Sequence, residues 1–257
     1  MTALRGERDG AVLRVTLARP ERRNAFDAAL IAELTEAFAP DAVGDARAIV
    51  LSGEGPSFCA GADVEWQRSS IDLSYEENVE DATRLLRMLE AIDECPAPVV
   101  CRVHGFALGG GSGLVACCDI VVAAPDATFG FTEAKLGIVP AVISPFVLAK
   151  IGSPARRLFT TGERFGAETA LRIGLVDELS ADPDAVVEQL VGELVTSGAA
   201  AAREAKRLVL RPPAREELPA LAARMRTSEE GQEGLRAFLE KRAAEGGWGV
   251  FAPGPDG

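Results

Sequence analysis

Four glycines, Gly105, Gly109, Gly110 and Gly111, fall where an apolar strand (Pro98 to Val103) gives way to an apolar, helix-like segment (Ser112 to Cys118). Glycine where strand becomes helix presents bare backbone N–H groups at the start of that helix. A tight turn needing positive φ would account for the glycines by itself. A second stretch, Phe58-Cys59-Ala60-Gly61-Ala62-Asp63, also follows an apolar strand (Ala48 to Ser52) and can set another N–H opposite the first. Two facing amides make an oxyanion hole. A dinucleotide fingerprint fails on spacing: counted from Gly109 its last glycine falls on Leu114, and counted from Gly105 its second falls on Ala107.

Around this junction the chain reads as α/β. Residues 11 to 17 alternate as a strand, and Asp27 caps a helix from Ala28 to Phe38. Between them Glu21-Arg22-Arg23-Asn24 reads as a solvated polar loop. A helix from Tyr75 to Ile92 and a strand from Ile120 to Ala124 follow. From Pro145 the pattern turns helical: 146–151, 154–161, 167–172, 184–195, 199–210, 216–226 and 229–244, interrupted only by a short strand from Leu175 to Leu179. Residues 1–195 read as a core and 196–257 as a helical C-terminal region with a frayed tail from Gly246.

The formal net charge of −12 argues against a nucleic-acid partner, so an anionic ligand must meet a local cluster of Arg or Lys. Five cysteines without a C-x-x-C pair and a single histidine argue for a reducing compartment and against a structural metal. No stretch reads as a signal peptide and no apolar run is long enough to cross a bilayer, so the expected location is cytoplasmic, without membrane contact. His104 reads as a packed, hydrogen-bonded residue, Cys117-Cys118 as core, and Asp119 as fixing the start of the next strand.

With FCAGADV, HGFALGGGSGLVACCDI, FGFTEAKLGIVP, TGERFGAETALRIGLVDEL and EGLRAFLEKR in this order, the chain resembles the crotonase (enoyl-CoA hydratase/isomerase) family over nearly its whole length. Within that family GADVEWQ, YEENVEDA, GSGLVACCDI and PAVISPFVLAKIG look most like the bacterial methylglutaconyl-CoA hydratase branch. The resemblance implies a spiral of ββα turns followed by helices that build a homotrimer, commonly paired into a hexamer. It implies an acyl-CoA thioester substrate and no cofactor beyond the coenzyme A that the substrate carries. The two N–H donors map onto Ala62 and Gly110, with Ala60, Gly61, Asp63 and Gly109 along the substrate path. Arg22 and Arg23 match positions that contact CoA, as does Lys241 from a neighbouring subunit, and Phe238 matches one that covers the acyl chain.

Hydratases of this family usually carry two glutamates. Here the second is Glu133, beside Phe129, Phe131 and Leu136, an apolar setting that raises a carboxyl pKa. The first position is Gly113. Water addition needs a group to deprotonate water as well as one to protonate Cα, and Asp63, Glu65, Glu77 and Asp81 are the nearby acids, none of them assigned. An isomerase needs only one carboxylate, so Δ3-Δ2 enoyl-CoA isomerisation is the alternative, with a non-catalytic acyl-CoA-binding member behind it. Gly113 is expected to leave room for a branched or carboxylated acyl group, and Arg68 to receive its carboxylate.

Overall fold

A computed structural model of the chain describes residues 2–252. Its first half alternates strand and helix: β1 (Leu4–Asp9), β2 (Val12–Leu17), α1 (Ala28–Ala37), α2 (Pro40–Val43), β3 (Ala48–Gly53), α3 (Val64–Ser69), α4 (Tyr75–Asp93), β4 (Val99–Val103), β5 (Phe106–Leu108), α5 (Gly110–Cys117), β6 (Ile120–Ala123) and β7 (Thr128–Gly130). After a 3₁₀ turn at Glu133–Leu136 come α6 (Ser144–Ile151), α7 (Ala155–Thr161), β8 (Arg164–Gly166), α8 (Ala167–Arg172), β9 (Glu178–Leu179), α9 (Pro183–Val195), α10 (Ala199–Leu210), α11 (Leu218–Thr227) and α12 (Glu229–Glu240).

Six strands form one sheet in the order β1-β2-β3-β4-β6-β9, parallel except for the β1–β2 hairpin. The β-branched run of each inner strand fixes the register and buries both faces. Leu51, Cys101 and Val121 face the main core with Leu30, Leu34, Met88 and Leu89 of α1 and α4. Val50, Val100 and Val122 face the other way, under Val187 and Val191 of α9. Arg102–Asp184 and Arg14–Glu188 ion pairs, each 2.8 Å, fasten the rim of α9.

A second sheet, β5-β7-β8, has three strands of three residues each. Its elements, and β1, are additions to the strands expected from the sequence. β1 is a charged edge strand, LRGERD, in which only Leu4 is even partly buried, so it carries no alternation to read. α5 begins at Gly110, two residues earlier than its apolar run, and is buried throughout from Gly111 to Cys117.

α10 is tied down by charge. Glu230 of α12 accepts from the N–H groups of Ala200 and Ala201, each at 2.9 Å, and Lys206 reaches Asp119 at 2.7 Å. Asp119 also accepts from Val99 N at 2.7 Å while its own N–H donates to Val99 O at 3.0 Å, so it fixes the start of β6 against the start of β4. Two expectations at the C-terminus are corrected. α12 stops at Glu240, four residues early, because Lys241 turns left-handed (φ 55°) and Arg242 N returns to Ala237 O at 3.0 Å. Residues 246–252 are tied in: Trp248 O accepts from Ala244 N and Gly249 N donates to Thr196 O, both at 2.8 Å. Residues 253–257 of the expected frayed tail lie outside the described residues.

Candidate active site

The Cys59 segment runs beside β5 as an extra strand. Cys59 N donates to Phe106 O and Leu108 N to Cys59 O, both at 3.0 Å. On its other side the same segment pairs with residues 23–26: Ala60 N to Arg23 O (3.0 Å), Phe26 N to Gly61 O and Asp63 N to Phe26 O (both 2.7 Å). Ala62 therefore sits in a backbone ladder beside the start of α5.

The approach of α5 is as close as the backbone permits. Gly109 has φ 52°, and a Cβ on Gly111 would come 3.1 Å from the carbonyl carbon of Cys59 and closer still to its oxygen. Ser112, fully buried, donates to Ala107 O at 2.6 Å and accepts from Gly130 N at 3.3 Å, locking the helix to both short strands. Gly110 is the first residue of α5, so its N–H has no partner within the helix. The Ala62 N–H likewise makes no backbone hydrogen bond among the described residues. Both residues line one cavity of about 500 Å³. Two unspent donors at a helix N-terminus are suited to developing negative charge.

Glu133 lines the same cavity at the start of the 3₁₀ turn. Glu133 is half-buried, and two residues before it Phe131 meets Phe159 edge-on (5.1 Å) and Phe165 at 5.9 Å. Desolvation by this burial pushes the Glu133 carboxyl up from its ordinary value, partly offset by a hydrogen bond from its own N–H. Its buried Oε2 has no partner among the described residues. A half-buried carboxyl with a spare oxygen and a raised pKa keeps its proton to higher pH than an exposed one and has a free atom through which to pass it on. Cys59, whose thiol burial pushes up to about 12, stays protonated and is no nucleophile. His104 is held between Arg102 Nη1 (2.7 Å) and Gly55 O (2.8 Å) and does not line the cavity.

Of the residues expected from the sequence, Glu133, Ala60, Gly61, Ala62, Gly109 and Gly110 meet around this cavity. The others fall elsewhere. Arg22 and Arg23 stand outside its lining, the first 3.9 Å from Asp63 and the second over the ring of Phe106. Asp63 is buried as the cap of α3, accepting from Glu65 N at 2.9 Å, with Arg19 at 3.5 Å, so it does not meet a ligand there. Arg68 does not line the cavity, and its exposed guanidinium pairs with Glu65 at 3.1 Å. Phe238, half-exposed and stacked on Phe251, and the exposed Lys241 lie on α12 and at its end, off this chain's own cavity.

Gly113 is the largest correction. It leaves no room: a Cβ there would lie 3.0 Å from Ile143 Cβ and closer still to its Cγ2. Ile143, at the start of α6, fills that volume and presents the apolar wall to the cavity instead.

Sequence reasoning also missed residues. Asn24, read as part of a solvated loop, is fully buried in a left-handed conformation (φ 55°). Its Nδ2 donates to Glu54 O (2.9 Å) and Ser57 O (2.8 Å), and its Oδ1 accepts from Arg19 N (2.8 Å). It thus staples the loop that carries Arg22 and Arg23 to the segment leading into Cys59. The left-handed tolerance of Asn was the available signal. Phe106 lies between two guanidinium groups, Arg23 at 5.9 Å and Arg164 at 5.8 Å from its centroid. Arg164 lines the cavity and has no carboxylate partner among the described residues. Nothing local in the sequence marked it.

Comparison with known proteins gives matches to both the sequence and the fold. A family model described as "Enoyl-CoA hydratase/isomerase" matches residues 7–247. A cyclohexa-1,5-dienecarbonyl-CoA hydratase of Thauera aromatica is 32% identical over 252 residues, covering 93% of each chain. Among solved structures, Pseudomonas aeruginosa AtuE superposes with a TM-score of 0.90 at 35% identity, covering 98% of this chain and 100% of its own. An enoyl-CoA hydratase from Shewanella pealeana gives 0.88 at 35% identity, with 95% of both chains covered.

Proposed function

The chain belongs to the enoyl-CoA hydratase/isomerase family, and from that premise we propose that it adds water across the Cα–Cβ double bond of a 2-enoyl-CoA. The observation that carries this reading is the meeting of two unspent N–H groups, on Ala62 and Gly110, with the half-buried Glu133 around one cavity. In it the thioester oxygen accepts from both amides. Electron density moves from the double bond onto that oxygen as water attacks Cβ, and Glu133 gives its proton to Cα. Each amide contributes about 2.7–4 kcal/mol to the enolate-like transition state, the range found for oxyanion-hole donors. Incubation with crotonyl-CoA tests the reaction: a product heavier by one water is expected, and recovery of substrate unchanged would remove the hydratase reading. The runner-up, Δ3-Δ2 isomerisation, is favoured by one observation, that Ile143 occupies the position beside Gly113 where a second glutamate would stand. A 3-enoyl-CoA converted to its 2-enoyl isomer without uptake of water would favour it.

The cations point to where CoA lies. Arg23 and Arg164 both lie over the ring of Phe106, which sets Arg23 beside the Arg164 that lines the cavity, in a protein of net charge −12. Replacing Arg23 or Arg164 with Met, which keeps an apolar stem, is expected to raise KM about tenfold for every acyl-CoA alike and leave kcat within about twofold, the pattern of lost uniform binding. A loss confined to one acyl group would move Arg164 to the acyl end. That end, in this reading, is walled by Gln67, Ser70, Asn78, Asp81 and Leu85. A methylglutaconyl group would bring its carboxylate toward Asp81 with Arg68 already engaged by Glu65, so an uncharged 2-enoyl group is placed ahead of it.

The working assembly in this reading is a homotrimer, with hexamers as pairs of trimers. Leu235, Phe238 and Leu239 of α12 are all more than 45% exposed beside Phe251, an apolar face with no cover from the chain's own core. Light scattering is expected to give three or six times the mass of the chain. A stable, active monomer at nanomolar concentration would refute it.

A further inference from the structure

Water addition leaves one role unfilled. As the oxygen of water bonds to Cβ, a base must take its proton while Glu133 delivers another to Cα. The position beside Gly113 is closed by Ile143, so no side chain can serve from there. Four acids near the cavity remain, and three are committed. Asp63 is buried as the cap of α3 against Arg19. Glu65 is paired with Arg68 and lies off the cavity. Glu77 closes a capping box with Ser74, accepting from Ser74 N at 2.7 Å, and that bond holds its carboxyl below the ordinary value.

Asp81 differs from all three. It lies in the first half of α4, on the same helix face as Leu85 four residues on, and it lines the cavity that Glu133 lines. Its side chain is 16% exposed. Its one side-chain partner among the described residues is the exposed Arg84, at 3.4 Å to Oδ1, and Arg84 makes a shorter contact of 3.0 Å with Glu80. Oδ2 of Asp81 has no hydrogen bond among the described residues. Two more unspent polar groups share this wall: the side-chain amide of Gln67, and Oδ1 of Asn78, whose Nδ2 is used on the carbonyls of Ser70, Leu73 and Ser74. An ordered water needs two to four polar partners, about what this wall supplies.

We propose that Asp81 is a second catalytic residue: it binds the attacking water at the acyl end of the cavity, assisted by Gln67, and removes its proton. The O–H bond of water breaks toward Asp81 as oxygen bonds to Cβ. The π electrons pass to the thioester oxygen held by Ala62 and Gly110, and the enolate takes the Glu133 proton at Cα. One water is consumed, and the two carboxyl groups, having exchanged protonation states, reset through solvent. The two halves of the addition are thereby assigned to different elements, the proton of Cα to the 3₁₀ turn after β7 and the water to α4.

This assignment rests on the hydratase reading, and two measurements separate their failures. One is hydration of a 2-enoyl-CoA, read by mass. The other is exchange of the Cα hydrogens of a saturated acyl-CoA with D₂O, which needs Glu133 and the two amides but no attacking water. Asp81→Asn is expected to lower hydration by about 10²–10⁴-fold, the range of a lost general base, and to leave Cα exchange within about twofold of wild type. Asp81→Glu is expected to recover part of the hydration rate. Hydration by Asp81→Asn at the wild-type rate would overturn the role of Asp81 and leave the hydratase reading standing. Parallel loss of hydration and exchange would make Asp81 a structural residue and also overturn it. A wild-type protein that exchanges Cα hydrogens and isomerises 3-enoyl-CoA but adds no water overturns both.

Discussion

Glu133→Gln keeps acyl-CoA binding and loses about 10²–10⁴-fold in turnover, because it removes the group proposed to carry the Cα proton and little else. The amide is isosteric and fits the same half-buried place. Stability is expected to move the other way. Burial raises the Glu133 pKa, so the folded chain binds this proton more tightly than the unfolded chain does. That linkage stabilises the fold fully below the unfolded value and is lost as pH rises through the folded one. Above the folded value wild type therefore carries an ill-solvated carboxylate that the variant lacks. Thermal unfolding of Glu133→Gln should come at a higher temperature than wild type near pH 7, with the gap closing toward pH 4. A variant that is inactive and also less stable at pH 7 would show that Glu133 holds the turn together, and that its effect on rate is indirect.

Gly113→Glu, which would rebuild the familiar pair of glutamates, is expected to damage the protein and not to restore anything. The new Cβ falls on the side chain of Ile143, which already fills the volume between α5 and α6 that the carboxylate would have to enter. Overpacking a core typically costs about 1–3 kcal/mol, and an unpaired buried charge adds to it. The denaturation midpoint should fall and activity should fall with it for every acyl-CoA. Gly113→Glu combined with Ile143→Ala removes the obstructing side chain and should regain part of the stability, a coupling that a double-mutant cycle measures directly. If Gly113→Glu alone unfolds at the wild-type midpoint, the helix pair is more yielding than its packing indicates.

What could be read from the sequence follows the length of the signal. The inner strands, the cap at Asp27 and the helices from α4 onward announce themselves by period and by terminal residues. Glycine marked both turns, and the resemblance to the family supplied Ala62 and Gly110 as the expected donors. The three-residue strands β5, β7 and β8 were not, being shorter than any period that could reveal them. Asp63 was misjudged for a different reason: an acid after a glycine-rich turn looks the same whether it meets a ligand or caps the next helix, and only the Arg19 and Glu65 contacts decide. Gly113 failed most instructively. A missing side chain reads as space, but Ile143 lies thirty residues on and no local pattern joins the two. Asp81 stood among four acids, and what distinguishes it is the commitment of the other three.

The backbone ladder that carries Ala62 between β5 and residues 23–26 has a consequence for how such a chain can diverge. A donor that belongs to the main chain survives nearly any replacement of the side chain attached to it, proline excepted. The residue at 62 is thus free to drift while its chemistry persists. The structural constraint falls instead on positions behind it, such as Gly111, where any side chain would strike Cys59, and Asn24, whose amide closes three backbone bonds. Inheritance of the reaction is then carried by the route of the chain, and distant descendants can keep it with few letters in common at the place where bonds are made.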